Sequence, residues 1–177
     1  PGTRLVGPAD GGVSISNAEI GVMQSAPDRI SLTALRRYFS VIIPANLIWE
    51  FAHMPLYTIW NEGTWGEIVF AAVHCTGGDI LIAMSALMLA LMLTGRSWPF
   101  VNPTRRSVTV LTVVFGLGYT LFSEWLNIVI RAAWAYSDLM PIIPVLDAGL
   151  SPVLQWIVIP LIAFWWAARP FSAEHKA

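Results

Sequence analysis

Residues 38–60 read YFSVIIPANLIWEFAHMPLYTIW. An α-helix needs about 20 mostly apolar residues to cross the hydrocarbon core of a bilayer. This stretch is long enough, yet Glu50 and His53 interrupt it. If it is a membrane span, those two groups must face other protein groups rather than lipid. The fold therefore depends on whether further spans exist, and on what they bring to the same depth.

Composition supports a membrane protein. The 177 residues are 56% hydrophobic and 12% charged, with nine tryptophans, and the mean hydropathy is +0.64. A soluble domain carries about 25% charged residues. A net charge of -1 leaves no basic footprint for nucleic acid. The single cysteine, Cys75, excludes an intrachain disulfide, c-type haem attachment and a thiolate zinc cluster.

Four stretches qualify as spans: 38–60, 66–93, 107–136 and 150–168. Arg29, Arg36 and Arg37 precede the first, Arg96, Arg105 and Arg106 separate the second from the third, and Arg169 and Lys176 follow the fourth. The other two connections, NEGTWGE and YSDLMPIIPVLDAGLSP, carry acids and no Lys or Arg. The positive-inside rule then puts both termini in the cytoplasm. The expectation is an all-α integral membrane protein, an up-down bundle of four transmembrane helices. Residues 1–37 would be a flexible cytoplasmic segment with a short amphipathic helix at SLTALRRYF, 38–168 the transmembrane domain, and 169–177 a cytoplasmic tail. The proline-rich loop 136–152 would form an ordered, non-helical cap on the outer side.

The polar residues converge. Asn46, Glu50, His53 and Tyr57 share one stripe of the first span, as do Thr120, Ser123, Glu124, Asn127 and Arg131 on the third. The second brings His74, Cys75 and Asp79 within HCTGGD, and the fourth brings Gln155. In an up-down bundle all of these lie in the outer half. Three acids against one arginine leave a surplus of negative charge. Protonated histidines, neutral carboxylic acids or a divalent cation would each balance it.

Glu50 and His53 form an E-x-x-H pair, which di-metal bundle proteins use twice. Here it occurs once, which favours a single divalent ion, zinc or iron. His53, His74 and Asp79 are the candidate ligands, Glu50 and Glu124 the candidate catalytic carboxylates, and Asn127, Arg131 and Gln155 the candidate cofactor- or substrate-positioning groups. The plainer alternative is a hydrogen-bonded polar core that sets helix packing. His53 and His74 could also flank a b-type haem, although Trp49 and Met54 crowd the space. Cys75 reads as a small core filler, and Gly77–Gly78 as a site of close helix packing. Arg131 reads as a partner for Glu124 or Asp79, or else as an anion or lipid-headgroup contact reaching the outer interface.

The segments HCTGGDILIA, FSEWLNI, WAYSDLMP and GLSPVLQW resemble a small bacterial family of multi-span membrane proteins that has no established activity. The resemblance covers most of residues 38–168 and implies a bacterial inner-membrane location. SEW followed by W-x-Y and MP is also similar to a pattern in membrane enzymes that handle isoprenoid or peptide substrates. Neither resemblance transfers a site residue. The functional expectation is a membrane-embedded metalloenzyme surrounded by lipid. The alternatives are an accessory subunit bound to other subunits of a respiratory or photosynthetic complex, or a b-haem electron carrier.

Overall fold

The computed structural model describes residues 17–95 and 104–169. Arg96, Trp98, His175, Lys176 and the first sixteen residues lie outside that range. The described chain is mostly helical: α1 (Asn17–His53), a short α2 (Ile59–Glu62), α3 (Trp65–Thr94), α4 (Thr104–Trp125) and α5 (Leu150–Ala167). A two-residue hairpin, β1 (Ile142–Ile143) with β2 (Ala148–Gly149), precedes α5.

Three helical segments are long and apolar enough to cross a membrane: Trp65–Thr94, Arg105–Ile130 and Leu150–Ala167. The first and last match the expected spans 66–93 and 150–168 to within one residue. α3 starts and stops on strong local signals. Thr64 and Glu67 form a reciprocal capping box, and Gly95 closes the helix at a φ of 80°.

The helices over the other two expected stretches end early. The expected helix over 38–60 stops at His53 and gives way to a 3-10 turn, Met54–Leu56. Pro55 has no N–H to continue the α-helical ladder, and its ring opposes the preceding turn. Tyr57 alone is then extended, bridging to Tyr136, before α2 begins. Thr58 N–H donates to the Ala135 carbonyl at 3.0 Å, and Ser137 N–H to the Leu56 carbonyl at 2.9 Å. α1 is absent from the three span-length apolar segments, because Arg36–Arg37 and Glu50–His53 bracket its apolar stretch.

The expected helix over 107–136 ends in a π turn, Leu126–Ile130. Ala132 then sits at φ 48°, in the left-handed region, and turns the chain away. At the other end, α1 begins at Asn17 among the described residues and runs unbroken through SLTALRRYF.

The four long helices close a ring of pairwise packing: α1 lies against α3 and α5, and α4 against the same two. α5 runs antiparallel to α1, since Arg37 bonds the Arg169 carbonyl at one end and His53 meets Ser151 at the other. The interior has two zones. Toward the arginine end it is apolar, built from Ala34, Tyr38 and Ile42 of α1, Ala83, Leu87 and Ala90 of α3, and Ile159, Ala163 and Phe164 of α5. The alanines let the helix backbones approach closely. Toward the opposite end the interior turns polar.

Candidate functional site

The helix periods that buried Ala34, Tyr38 and Ile42 continue along α1 to Asn46, Glu50 and His53, all buried. Asp79 occupies the equivalent inward position on α3, Thr120, Glu124 and Asn127 on α4, and Gln155 on α5. Here the two zones meet a cavity of about 1030 Å³. Its wall combines Glu50, His53, Asp79 and Gln155 with Phe115, Leu89 and Ile82. A large, partly apolar hollow with a few converging polar groups is the usual form of a small-molecule site.

Gln155 organises the centre. Its Nε2 lies 3.0 Å from each of three acceptors: Asn46 Oδ1, Glu50 Oε1 and Asp79 Oδ2. The last contact spans the ring diagonally from α5 to α3. The Asn46 amide donates back to the Ile42 carbonyl of its own helix at 2.8 Å. A side-chain amide has two hydrogens to donate. Three acceptors on one amide nitrogen therefore leave this cluster short of hydrogen-bond donors.

His53 is held on both ring nitrogens. Nε2 meets Glu50 Oε2 at 3.1 Å, and Nδ1 meets Ser151 Oγ at 3.1 Å. Trp49 Nε1–H donates to the same Ser151 Oγ at 3.2 Å.

Glu124 forms a second group. It accepts a hydrogen bond from Tyr136 O–H and a long one, 3.4 Å, from Tyr57 O–H. Burial, and then the bond to Glu124, raise the Tyr136 phenol above the ordinary tyrosine range, so it stays an O–H donor at neutral pH. The Tyr136 oxygen in turn accepts the Gly149 N–H at 2.9 Å, tying the hairpin to the site.

The remaining expected site residues divide. His74 lines the cavity but is exposed, with its ring stacked on Phe70. Asn127 donates back to the Ser123 carbonyl of its own helix at 2.9 Å. Arg131 stands exposed on the cavity rim. The π turn and left-handed Ala132 carry the chain outward there, and tyrosines rather than Arg131 satisfy Glu124. Cys75 lines the same cavity. Among the described residues no three His, Cys, Asp or Glu side chains are grouped to hold a metal ion.

Three buried donors on the cavity wall lack partners among the described residues: Thr120 Oγ1, Trp134 Nε1 and Trp156 Nε1. Trp156 Nε1 points toward Asp79 without completing a hydrogen bond. Buried polar atoms in native proteins are nearly always paired, so each such group calls for an explanation.

Gly77 and Gly78 are not close-packing positions, because a Cβ on either would meet nothing within 4 Å. That role falls to Gly116, where a Cβ would lie 2.2 Å from the Trp156 ring. Sequence spacing missed Ser151, Trp49 and Tyr136. Ser151 is two residues past Gly149 at the head of a helix, and that is the one local signal it gives.

Comparison with protein families, curated proteins and solved structures finds no match for this chain.

Proposed function

We propose that this is a four-span protein of the bacterial inner membrane, with cytoplasmic termini, whose outer-half cavity binds an amphiphile through a cationic or proton-donating head group and carries out acid–base chemistry on it. The observation that carries this reading is the donor deficit at Gln155. Asn46, Glu50 and Asp79 converge on one amide nitrogen inside a cavity large enough for a small molecule. A ligand ammonium or hydroxyl would supply the missing hydrogens. His53, oriented by Glu50 and Ser151, is the acid–base group beside it.

The orientation has support of its own. Arg37 bonds the Arg169 carbonyl, and Arg105, Arg106 and Arg169 line one hollow, so these four arginines gather at the end remote from the cavity, with Arg131 the exception on its rim. Arg169 also stacks over Trp165 at 3.8 Å, as cation and aromatic residues do at a membrane interface.

The test uses the protein in lipid nanodiscs, titrated with dodecylamine and, separately, dodecyl methyl ether, which has no hydrogen to donate. Trp134 and Trp156 on the cavity wall report binding by fluorescence. Saturable quenching by the amine, lost in Asp79→Asn, supports the reading. Equal responses to both chains, or no change in the variant, would overturn it. Elemental mass spectrometry on the same sample adds a second check. A stoichiometric zinc or iron that disappears in His53→Ala would replace the amine reading with a metal-centred one.

A further inference from the structure

The hydrogen bonds at the head of α5 have a direction. A neutral imidazole carries one hydrogen, so one ring nitrogen donates and the other accepts. Glu50, as a carboxylate, can only accept, which puts the hydrogen on Nε2. Nδ1 is then an acceptor, and Ser151 O–H must point at it. One lone pair of Ser151 Oγ takes the Trp49 N–H, and the second remains free to attack. The chain Ser151 to His53 to Glu50 thus has nucleophile, base and orienting carboxylate, each at hydrogen-bond distance from the next. It differs from the familiar triad in using Nδ1 toward the serine.

Local structure suits the serine to this task. Ser151 is the second residue of α5, directly after β2. The first helical N–H groups have no intrahelical partner. Gly149 N–H is taken by Tyr136 and Leu150 N–H by the Pro141 carbonyl. Pro152 has none, which leaves Ser151 N–H beside its own Oγ. Trp49 Nε1–H, which bonds Oγ itself, is the second donor beside the reacting oxygen, at the positive end of the helix. Ser151 is half-buried rather than sealed, and Trp49 is likewise half-buried.

We infer that Ser151 is a nucleophile for acyl transfer from an ester-bearing amphiphile, with His53 as its base and Glu50 as the residue that positions His53. Ser151 Oγ attacks the ester carbonyl carbon while its proton passes to His53 Nδ1. The tetrahedral adduct collapses, the bond to the leaving alcohol oxygen breaks, and that oxygen takes the proton from His53. Water then attacks the acyl-Ser151 ester. It gives its proton to His53 and, as the acyl bond breaks, the proton returns to Ser151. The balance is one ester and one water to one carboxylic acid and one alcohol.

This inference shares His53 with the cavity reading but does not require an amine head group. The test is an alkyl fluorophosphonate on the full chain in mild detergent, read by intact mass and peptide mapping, with hydrolysis of p-nitrophenyl octanoate alongside. One adduct is expected, on Ser151, and none in Ser151→Ala. His53→Gln should slow labelling and hydrolysis at least about 100-fold, the lower range for losing a general base. Circular dichroism of each variant shows that it is folded, and Ser151→Cys, labelled by iodoacetamide in place of the phosphonate, tests the same position independently. A folded wild type without the adduct, or labelling indifferent to His53, would overturn the inference. Labelling at Ser151 with no dodecylamine binding would remove the cavity reading and leave this one standing.

Discussion

The two halves of the bundle interior use the same helix geometry for opposite purposes. In the arginine-side half, Tyr38, Ile42, Leu87 and Phe164 fill the space between close-packed alanines. In the other half, the next inward positions of the same helices are Asn46, Glu50, Asp79, Glu124 and Gln155, around a cavity of about 1030 Å³. The first half is packed to hold helices together. The second brings several acids to one level and leaves donors unpartnered, which is costly in a medium of low dielectric. A molecule that needed only stability would have continued the first pattern. Interhelical hydrogen bonds inside membranes return only about 0.6–2 kcal/mol each.

That contrast can be broken or sharpened by substitution, with unfolding followed by circular dichroism in an SDS titration. The largest effect is expected at Gln155. Gln155→Leu removes the donor shared by Asn46, Glu50 and Asp79, which should cost about 3 kcal/mol, the upper end for leaving buried acceptors unsatisfied. A cost below that of an ordinary surface change would mean the acids are not held through Gln155.

Next is the seam between the halves. Gly116→Ala drives a Cβ to 2.2 Å from the Trp156 ring, so the helices must separate, at about 1–3 kcal/mol. Ala at Gly77, where no atom lies within 4 Å, is the matched control and should be neutral or slightly stabilising. Equal losses at both positions would remove the claim that α4 and α5 meet through Gly116.

Smaller still is Tyr136→Phe, which deletes one bond to Glu124 and one to the hairpin and should cost about 0.5–1.5 kcal/mol. The least is Met88→Ala, on a side chain 62% exposed. It should stay within about 0.5 kcal/mol. A larger loss there would mean that the outer face of α3 carries packing of its own.

Much of this architecture is legible in the sequence, because apolar period and length alone decide where a helix can cross a bilayer. α3 and α5 follow directly from that signal and from the Thr64 and Gly95 caps. The polar stripe on α1 is equally legible, since Asn46, Glu50 and His53 recur at helical spacing. What hydropathy could not reveal were the two early helix ends. Pro55 breaks an apolar run without changing its composition, and the π turn at Leu126–Ile130 carries no residue signature. Those breaks decide partners. They put Tyr136 rather than Arg131 on Glu124. His74 and Asp79 share a helix but not a face, which left His74 exposed beside Phe70. Ser151 was invisible for another reason: its partner His53 is ninety-eight residues away in sequence, and only the antiparallel packing of α1 on α5 joins them.

The central claim is that the polar half exists to bind something rather than to hold the helices together. The most direct test is Asp79→Asn, measured for melting temperature and dodecylamine binding in the same nanodiscs. Asparagine brings its own amide hydrogens to Glu50 and removes one acid from the cluster, so it relieves the deficit around Gln155. The account predicts a melting temperature equal to or above wild type, with amine binding weakened at least about tenfold, the trade of function for stability expected at a binding site. A lower melting temperature with amine binding unchanged would contradict it and make the cluster structural.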